Sequence, residues 1–279
     1  AVSTMSSTEV GRTFNLFPCS KWLSTVCIGA ASGVVLYFIF NRRRSKCPGV
    51  NDCNDKTHLV PMADHPRNLI PQICREFHQK GWMTGSGGAI SIKLGNEIYI
   101  SPSGFLKERV EASSLFVCDI QGNQLDGPLP SLNLKESSCT PMFMNGYRKR
   151  GAGAVFHIHS QNAVMVTLLF PGKEFRISHQ QMIKAIVNCK TGKNYRYDEE
   201  LVIPIVENEN EEIEIKDSIV AAMEEYSETS AVLVRNHGIY LWAKTWVKAK
   251  IMCEAYDYIF EVAVKMKSNG LDPLKKPSM

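Results

Sequence analysis

The 279-residue chain is 44% hydrophobic and 22% charged. These are the proportions of an ordinary folded protein, not a disordered or fibrous one, and the length suffices for one sizeable domain with an appendage. The net charge of +4 is unevenly spread: residues 1–56 carry seven Lys or Arg against three Asp or Glu, whereas residues 57–279 carry 25 of each. A balanced body excludes the broad basic footprint of a nucleic-acid binder. Nine cysteines without a C-x-x-C pair exclude a disulfide framework or a zinc-finger array and point to a reducing compartment.

Residues 1–21 read as a tail. Trp22 to Phe40 is a run of 19 residues without a charge. As a helix it would extend about 28 Å, close to the hydrocarbon thickness of a bilayer. Arg42, Arg43, Arg44 and Lys46 follow at once and would hold the C-terminal side in the cytosol. Residues 22–40 are therefore a candidate membrane anchor. The alternative is an uncertain translation start, since the chain opens with Ala1 and Met5 is its first methionine. Residues 41–63, polar and punctuated by Pro48, Gly49, Asn51 and Asp52, read as a linker.

From residue 64 to residue 273 helical and strand periods alternate. Leu69, Ile73 and Phe77 predict an amphipathic helix that runs to Lys80 and stops at Gly81. Ala89–Leu94 and Glu97–Ile100, joined by Gly95-Asn96, predict a β-hairpin. A strand is expected at Leu115–Asp119. Thr140-Pro141 opens a helix to Arg150, with proline at a helix start. Ala154–Ile158 is a strand, and Ser160 caps a helix running to Phe170. Strands at Leu201–Val206 and Ala231–Arg235 bracket an acidic-headed helix, Glu211 to Tyr226, whose charges complement the helix dipole. Thr245 opens a last helix ending before Gly270, and residues 274–279 are a tail. The pattern is that of one α/β domain with hairpins instead of a strict βαβ rhythm.

His157 and His159 lie two apart on a strand, so they share a face, separated by roughly 6.5 Å of backbone. Two imidazoles so placed can reach one metal ion, and His237, at the end of another apolar strand, is a candidate third ligand for an open zinc site. A polar strand face has the same pattern, and the residues alone leave both readings open. Thr84-Gly85-Ser86-Gly87-Gly88 follows a helix and precedes a strand, the reverse of a dinucleotide fingerprint. Its backbone N–H groups can cradle a phosphate or form a plain turn, and Ser101-Pro102-Ser103-Gly104 has the same two readings. Ser137-Ser138-Cys139-Thr140 sits at a helix N-terminus, where the dipole favours an anion or a thiolate, although by itself the stretch reads better as a cap followed by an ordinary buried cysteine.

Together these motifs resemble the class II aldolase/adducin family. The resemblance rests on Gly81–Gly88, Pro102-Ser103-Gly104, Ser138-Cys139-Thr140-Pro141, Gly151–Val155, His157-Ile158-His159-Ser160 and Arg235-Asn236-His237-Gly238, in the family's order over residues 64–273. It is strongest to the branch that dehydrates 5-methylthioribulose 1-phosphate in methionine salvage, whose animal form is also described as a partner of a cell-death regulator. The resemblance implies a central, mostly antiparallel sheet flanked by helices, to which the chain adds an N-terminal apolar helix, and a homotetramer. It implies one Zn2+ per subunit on His157, His159 and His237. It places the substrate beside Cys139, with the sugar phosphate at Gly88, Ser103, Gly104 and Ser138. Ala89 departs from the asparagine usual in the aldolases.

The acid/base glutamate of the branch lies in a His-Gln-Glu-Met stretch, which here is His179-Gln180-Gln181-Met182. Gln181 hydrogen-bonds but cannot transfer a proton near neutral pH. Three readings follow: a dehydratase, slow or served by another proton carrier; a catalytically impaired scaffold that regulates cell death through a partner; and a retro-aldol enzyme on another sugar phosphate. Carbonate extraction checks the anchor. The 279-residue chain should stay in the membrane pellet and a chain starting at Pro61 should wash out; a wholly soluble long form removes residues 22–40 as an anchor.

Overall fold

The N–H of Arg67 donates to Nδ1 of His65 at 3.2 Å, and Pro66 takes the first helical position. This start opens α1 (Pro66–Gln79), whose buried stripe includes Leu69, Ile70, Ile73 and Phe77. Gly81, at φ +76°, turns the chain out of the helix as only glycine does readily. The computed structural model describes residues 62–276 of the chain. The tail, anchor and linker expected at 1–21, 22–40 and 41–63 lie, apart from its last two residues, outside them, as do residues 277–279.

Strands β1 (Ala89–Leu94) and β2 (Glu97–Ile100) form the expected hairpin, with Leu94 opposite Glu97 across Gly95-Asn96. Gly95 has a positive φ and Asn96 does not, the dihedral pattern of a II′ turn. Then follow β3 (Phe116–Cys118), β4 (Gln124–Asp126), α2 (Thr140–Arg150), β5 (Ala154–Ile158) and α3 (Gln161–Leu169). After these come β6 (Glu174–Ile177), β7 (Leu201–Val206), α4 (Glu212–Glu225), β8 (Ala231–Val234), β9 (Gly238–Ala243) and α5 (Trp246–Ser268). Ser160 and Thr245 cap α3 and α5 through their hydroxyls, which satisfies N–H groups that a helix start leaves free.

The strands lie in the order β4-β3-β2-β1-β5-β9-β8-β7-β6, antiparallel except for the β7–β8 pair. Alternation along β5 sends Phe156 and Ile158 into a core shared with α1, α3 and α5. Val155 joins the opposite core with α2 and α4, as do Tyr240 and Trp242 of β9. His157, between Phe156 and Ile158, follows Val155 to the α2–α4 side. The sheet is thus covered on both faces, and His157 is wholly buried.

Strands β4, β6 and β9 were not expected from the sequence. The apolar run of β9 lacks alternation because all six of its residues are buried, so it carries no period of two. Edge strand β4 has the opposite character, since its three residues are exposed. The helix expected from Glu211 to Tyr226 is one residue shorter at each end.

Gly238 lets β9 close on β5. A Cβ there would stand 2.2 Å from the Ile158 carbonyl oxygen, and backbone atoms cannot swing aside as a flexible side chain can. Gly238→Ala should therefore lower stability by about 2–3 kcal/mol, at the upper end of the range for overpacking. Urea denaturation checks this as a lower midpoint at an unchanged slope.

Candidate active site

Three imidazoles converge where β5 ends and β8 turns into β9. Nε2 of His159 lies 2.8 Å from Nε2 of His157 and 3.0 Å from that of His237, and His157 and His237 are 3.3 Å apart by the same atoms. His237 reaches the cluster because Asn236 adopts φ +57° in a two-strand turn that Gly238 completes. Nδ1 of His157 faces the Ile239 carbonyl at 3.1 Å, and Nδ1 of His237 faces Oδ1 of Asn208 at 3.0 Å. Both partners only accept, so both Nδ1 atoms donate, which leaves Nε2 with a free lone pair. Burial, and then the neighbouring imidazoles, hold His157 well below the usual histidine range. Burial with the adjacent His237 pushes His159 down to about 4, and burial also lowers His237. Near neutral pH the cluster is three uncharged nitrogen ligands.

That donor set fits a zinc ion. Ligand nitrogens about 2.0–2.1 Å from a tetrahedral ion stand about 3.3 Å from one another. The three separations approach that value, and the outer hydrogen bonds fix the tautomers as they do in zinc sites.

Cys139 stands at the N-terminus of α2, buried on the same side of the sheet as His157. Its thiol donates to Oε2 of Glu212 at 2.6 Å, and the Tyr240 hydroxyl donates to Sγ of Cys139 at 3.4 Å and to Oε2 of Glu212 at 3.3 Å. Tyr240 is paired with His157 across β5 and β9 and stacks on its ring at 3.8 Å between centroids. The ligand atoms of Cys139, His157 and Glu212 all lie within 4.8 Å of one another. Burial, and then the charge of Glu212, raise the Cys139 thiol well above its usual range. It is a thiol here and not the thiolate that its helix N-terminus had suggested.

The two glycine-bearing loops meet through Lys107. This residue is wholly buried, and its Nζ donates to the carbonyls of Ser86, Pro102 and Phe105 at 2.9, 3.0 and 3.1 Å. Gly87 lies against the cluster: a Cβ there would stand 2.6 Å from Nδ1 of His159. Gly88, at φ +72°, lies over the His157 carbonyl. Ser103 is half-buried and bridges to Lys135, while Gly104 and Ser138 are exposed. Gln181 is exposed on the short 3-10 helix Gln181–Ala185, which packs against α5, and its side chain has no hydrogen bond among the described residues. Glu212, Tyr240 and Lys107 were not foreseen as site residues. The sequence marks Glu212 only as a dipole-complementing acid of α4, and nothing local marks Lys107 or Tyr240.

A family model described as the class II aldolase and adducin N-terminal domain matches residues 68–264. The chain belongs to this family. Among its relatives, methylthioribulose-1-phosphate dehydratase of Homo sapiens is 56% identical over 226 residues, covering 81% of this chain and 93% of the relative. The protein of the same name from Gallus gallus is 58% identical over 214 residues, covering 77% and 88%. Among solved structures, an L-fuculose 1-phosphate aldolase superposes with a TM-score of 0.61 at 21% identity, covering 80% of this chain and 94% of that one. It shares the class II aldolase fold of this chain. No helix among the described residues is long and apolar enough to cross a membrane.

Elemental analysis of the purified protein should find about one zinc per chain, the count for three imidazoles and one open position. The His157→Ala, His159→Ala double variant should fall to background, and stoichiometric zinc in that variant would exclude the cluster as the metal site.

Proposed function

We propose that this chain is a zinc-dependent dehydratase. It converts 5-methylthioribulose 1-phosphate to 2,3-diketo-5-methylthiopentyl 1-phosphate and water, a step of methionine salvage. The observation that carries the reading is the convergence of three neutral imidazoles beside Cys139, in a chain more than half identical to proteins named for that reaction. Relatives of the family act on sugar phosphates, as the name of the fuculose-phosphate aldolase states, and a phosphorylated pentulose suits the two loops joined by Lys107.

In this reading His157, His159 and His237 hold the zinc ion. Bound there, it polarises the substrate's C2 carbonyl as a Lewis acid and so acidifies the C3–H. The backbone N–H groups around Gly88 and Gly104, with the hydroxyls of Ser103 and Ser138, take the phosphate. Lys107 fixes the spacing of those loops and adds a buried positive charge near the anion. Cys139, protonated, lines the substrate's place without acting as a nucleophile. Gln181 in this role can hold a hydroxyl by hydrogen bonds but cannot carry a proton. The assembly is a homotetramer, and residues 22–40 anchor the enzyme with its body in the cytosol. A second reading, an impaired scaffold that binds a cell-death regulator, has the amide at Gln181 in its favour.

Zinc-replete protein given methylthioribulose 1-phosphate should form the 2,3-diketone, followed by its ultraviolet absorbance. Chelation should abolish turnover and added zinc should restore it. Carbon–carbon cleavage in place of dehydration would assign a retro-aldol enzyme, and zinc-loaded protein inert toward the substrate would favour the scaffold.

A further inference from the structure

Dehydration of a 2-keto sugar needs a group that accepts the C3 proton and returns it to the departing C4 hydroxyl. An amide cannot do this, so Gln181 leaves the role unfilled. Glu212 is a carboxylate at the first turn of α4, half-buried, with its oxygen within 4.8 Å of the ligand nitrogen of His157 and the sulfur of Cys139. We infer that Glu212 is the proton-transferring catalytic residue of this site. The inference rests on the dehydratase reading and adds the residue that completes it.

The start of α4 does not need this carboxylate. Glu211 and Glu214 form a reciprocal capping box, in which Oε2 of Glu214 accepts from the Glu211 N–H at 3.1 Å, so the helix end is served by its neighbours. Glu212 instead turns toward the sheet, where Cys139 and Tyr240 donate to the same oxygen, Oε2, at 2.6 and 3.3 Å. These two donors leave Oε1 without a protein partner among the described residues and fix the direction in which the carboxylate points. Tyr240 is itself locked by stacking on His157, so it serves as a positioning residue that ties the carboxylate to the imidazole cluster. A carboxylate fixed within 4.8 Å of a ligand nitrogen of His157 stands within reach of a substrate held at that cluster, directly or through one water, as general acid–base catalysis requires.

The step balances without a further reagent. Glu212 accepts the C3 proton; the C–H electron pair forms the C2–C3 double bond, and the carbonyl π pair moves to the C2 oxygen. That pair then returns to re-form the C2 carbonyl, the C2–C3 π pair becomes a C3–C4 double bond, and the C4–O bond breaks. The leaving hydroxide takes the proton from Glu212 and departs as water, which restores the carboxylate. The remaining 3-enol moves its hydroxyl proton to C4 through solvent and becomes the 2,3-diketone.

The test compares the parent chain with Glu212→Gln, Glu212→Asp and Gln181→Glu, each assayed for zinc content, calorimetric affinity for methylthioribulose 1-phosphate, kcat and KM. Glu212→Gln should keep its zinc and bind substrate within about threefold of the parent, while kcat falls by about 10²-fold or more, the usual scale for a positioned acid or base. A loss confined to the transition state lowers kcat and kcat/KM together. Glu212→Asp, which keeps the carboxylate and shortens its reach, should retain part of the activity and decides the matter if the amide variant does not fold. Zinc lost from a folded Glu212→Gln would make the residue a metal ligand and overturn the inference. A kcat unchanged in Glu212→Gln, with Gln181→Glu raising activity, would overturn it in favour of the 181 position. A zinc-loaded, substrate-binding parent without turnover would instead overturn the dehydratase reading, and the role of Glu212 with it.

Discussion

The pairing of β5 with β9 is the constraint on which the rest of the site depends. Five residue pairs hold the two strands in register from Ala154 opposite Ala243 to Ile158 opposite Ile239. A shift by one residue would send every side chain to the other face. His157 would then leave Tyr240 and enter the apolar core of α1, α3 and α5, where no cluster partner awaits it. Gly238 permits the close approach at the end of the pair, and the turn that precedes it delivers His237 from the next strand.

Burying three imidazoles together has an electrostatic consequence. Burial disfavours a proton on each, and the neighbouring imidazoles disfavour one further on His157 and His159, so the cluster stays neutral where an exposed histidine would be partly charged. Neutral nitrogens, two of them with the outer N–H already committed to an acceptor, are poised for a cation. Around them the protein places its charges selectively. Lys107 lies behind the glycine loops, bound to three carbonyls and, among the described residues, to no carboxylate. Glu212 lies on the other side, beside Cys139, and supplies the negative group that the cluster lacks.

The helices serve this arrangement unequally. α1, α3 and α5 cover one face of the sheet with an apolar core and reach the site only by supporting the strands. α2 and α4 cover the other face, and their N-terminal ends carry Cys139 and Glu212 to one point. Those residues are 73 positions apart in the chain, and their contact exists because α2 and α4 pack against each other on the same face of the sheet.

Local sequence determined the elements whose signals are local: the Gly95-Asn96 hairpin, the caps at Ser160 and Thr245, the helix from Thr140 to Arg150, and the two-apart spacing of His157 and His159. Its place at the end of an apolar strand made His237 a candidate third ligand, and the order of the family's motifs put all three histidines in one expected metal set. Tertiary structure alone decided the rest. Strand β9 was illegible because a strand buried on both faces loses the alternation that marks it. Nothing in the sequence around Lys107 foretells three carbonyls arriving from two loops. Glu212 looks like a helix-dipole acid beside other acids, and only the packing of α4 against α2, β7 and β8, with the hydrogen bonds from Cys139 and Tyr240, separates it from Glu211. Spacing along a chain specifies which side chains share a face. Which faces meet is set by strand order and helix docking, and those are properties of the whole fold.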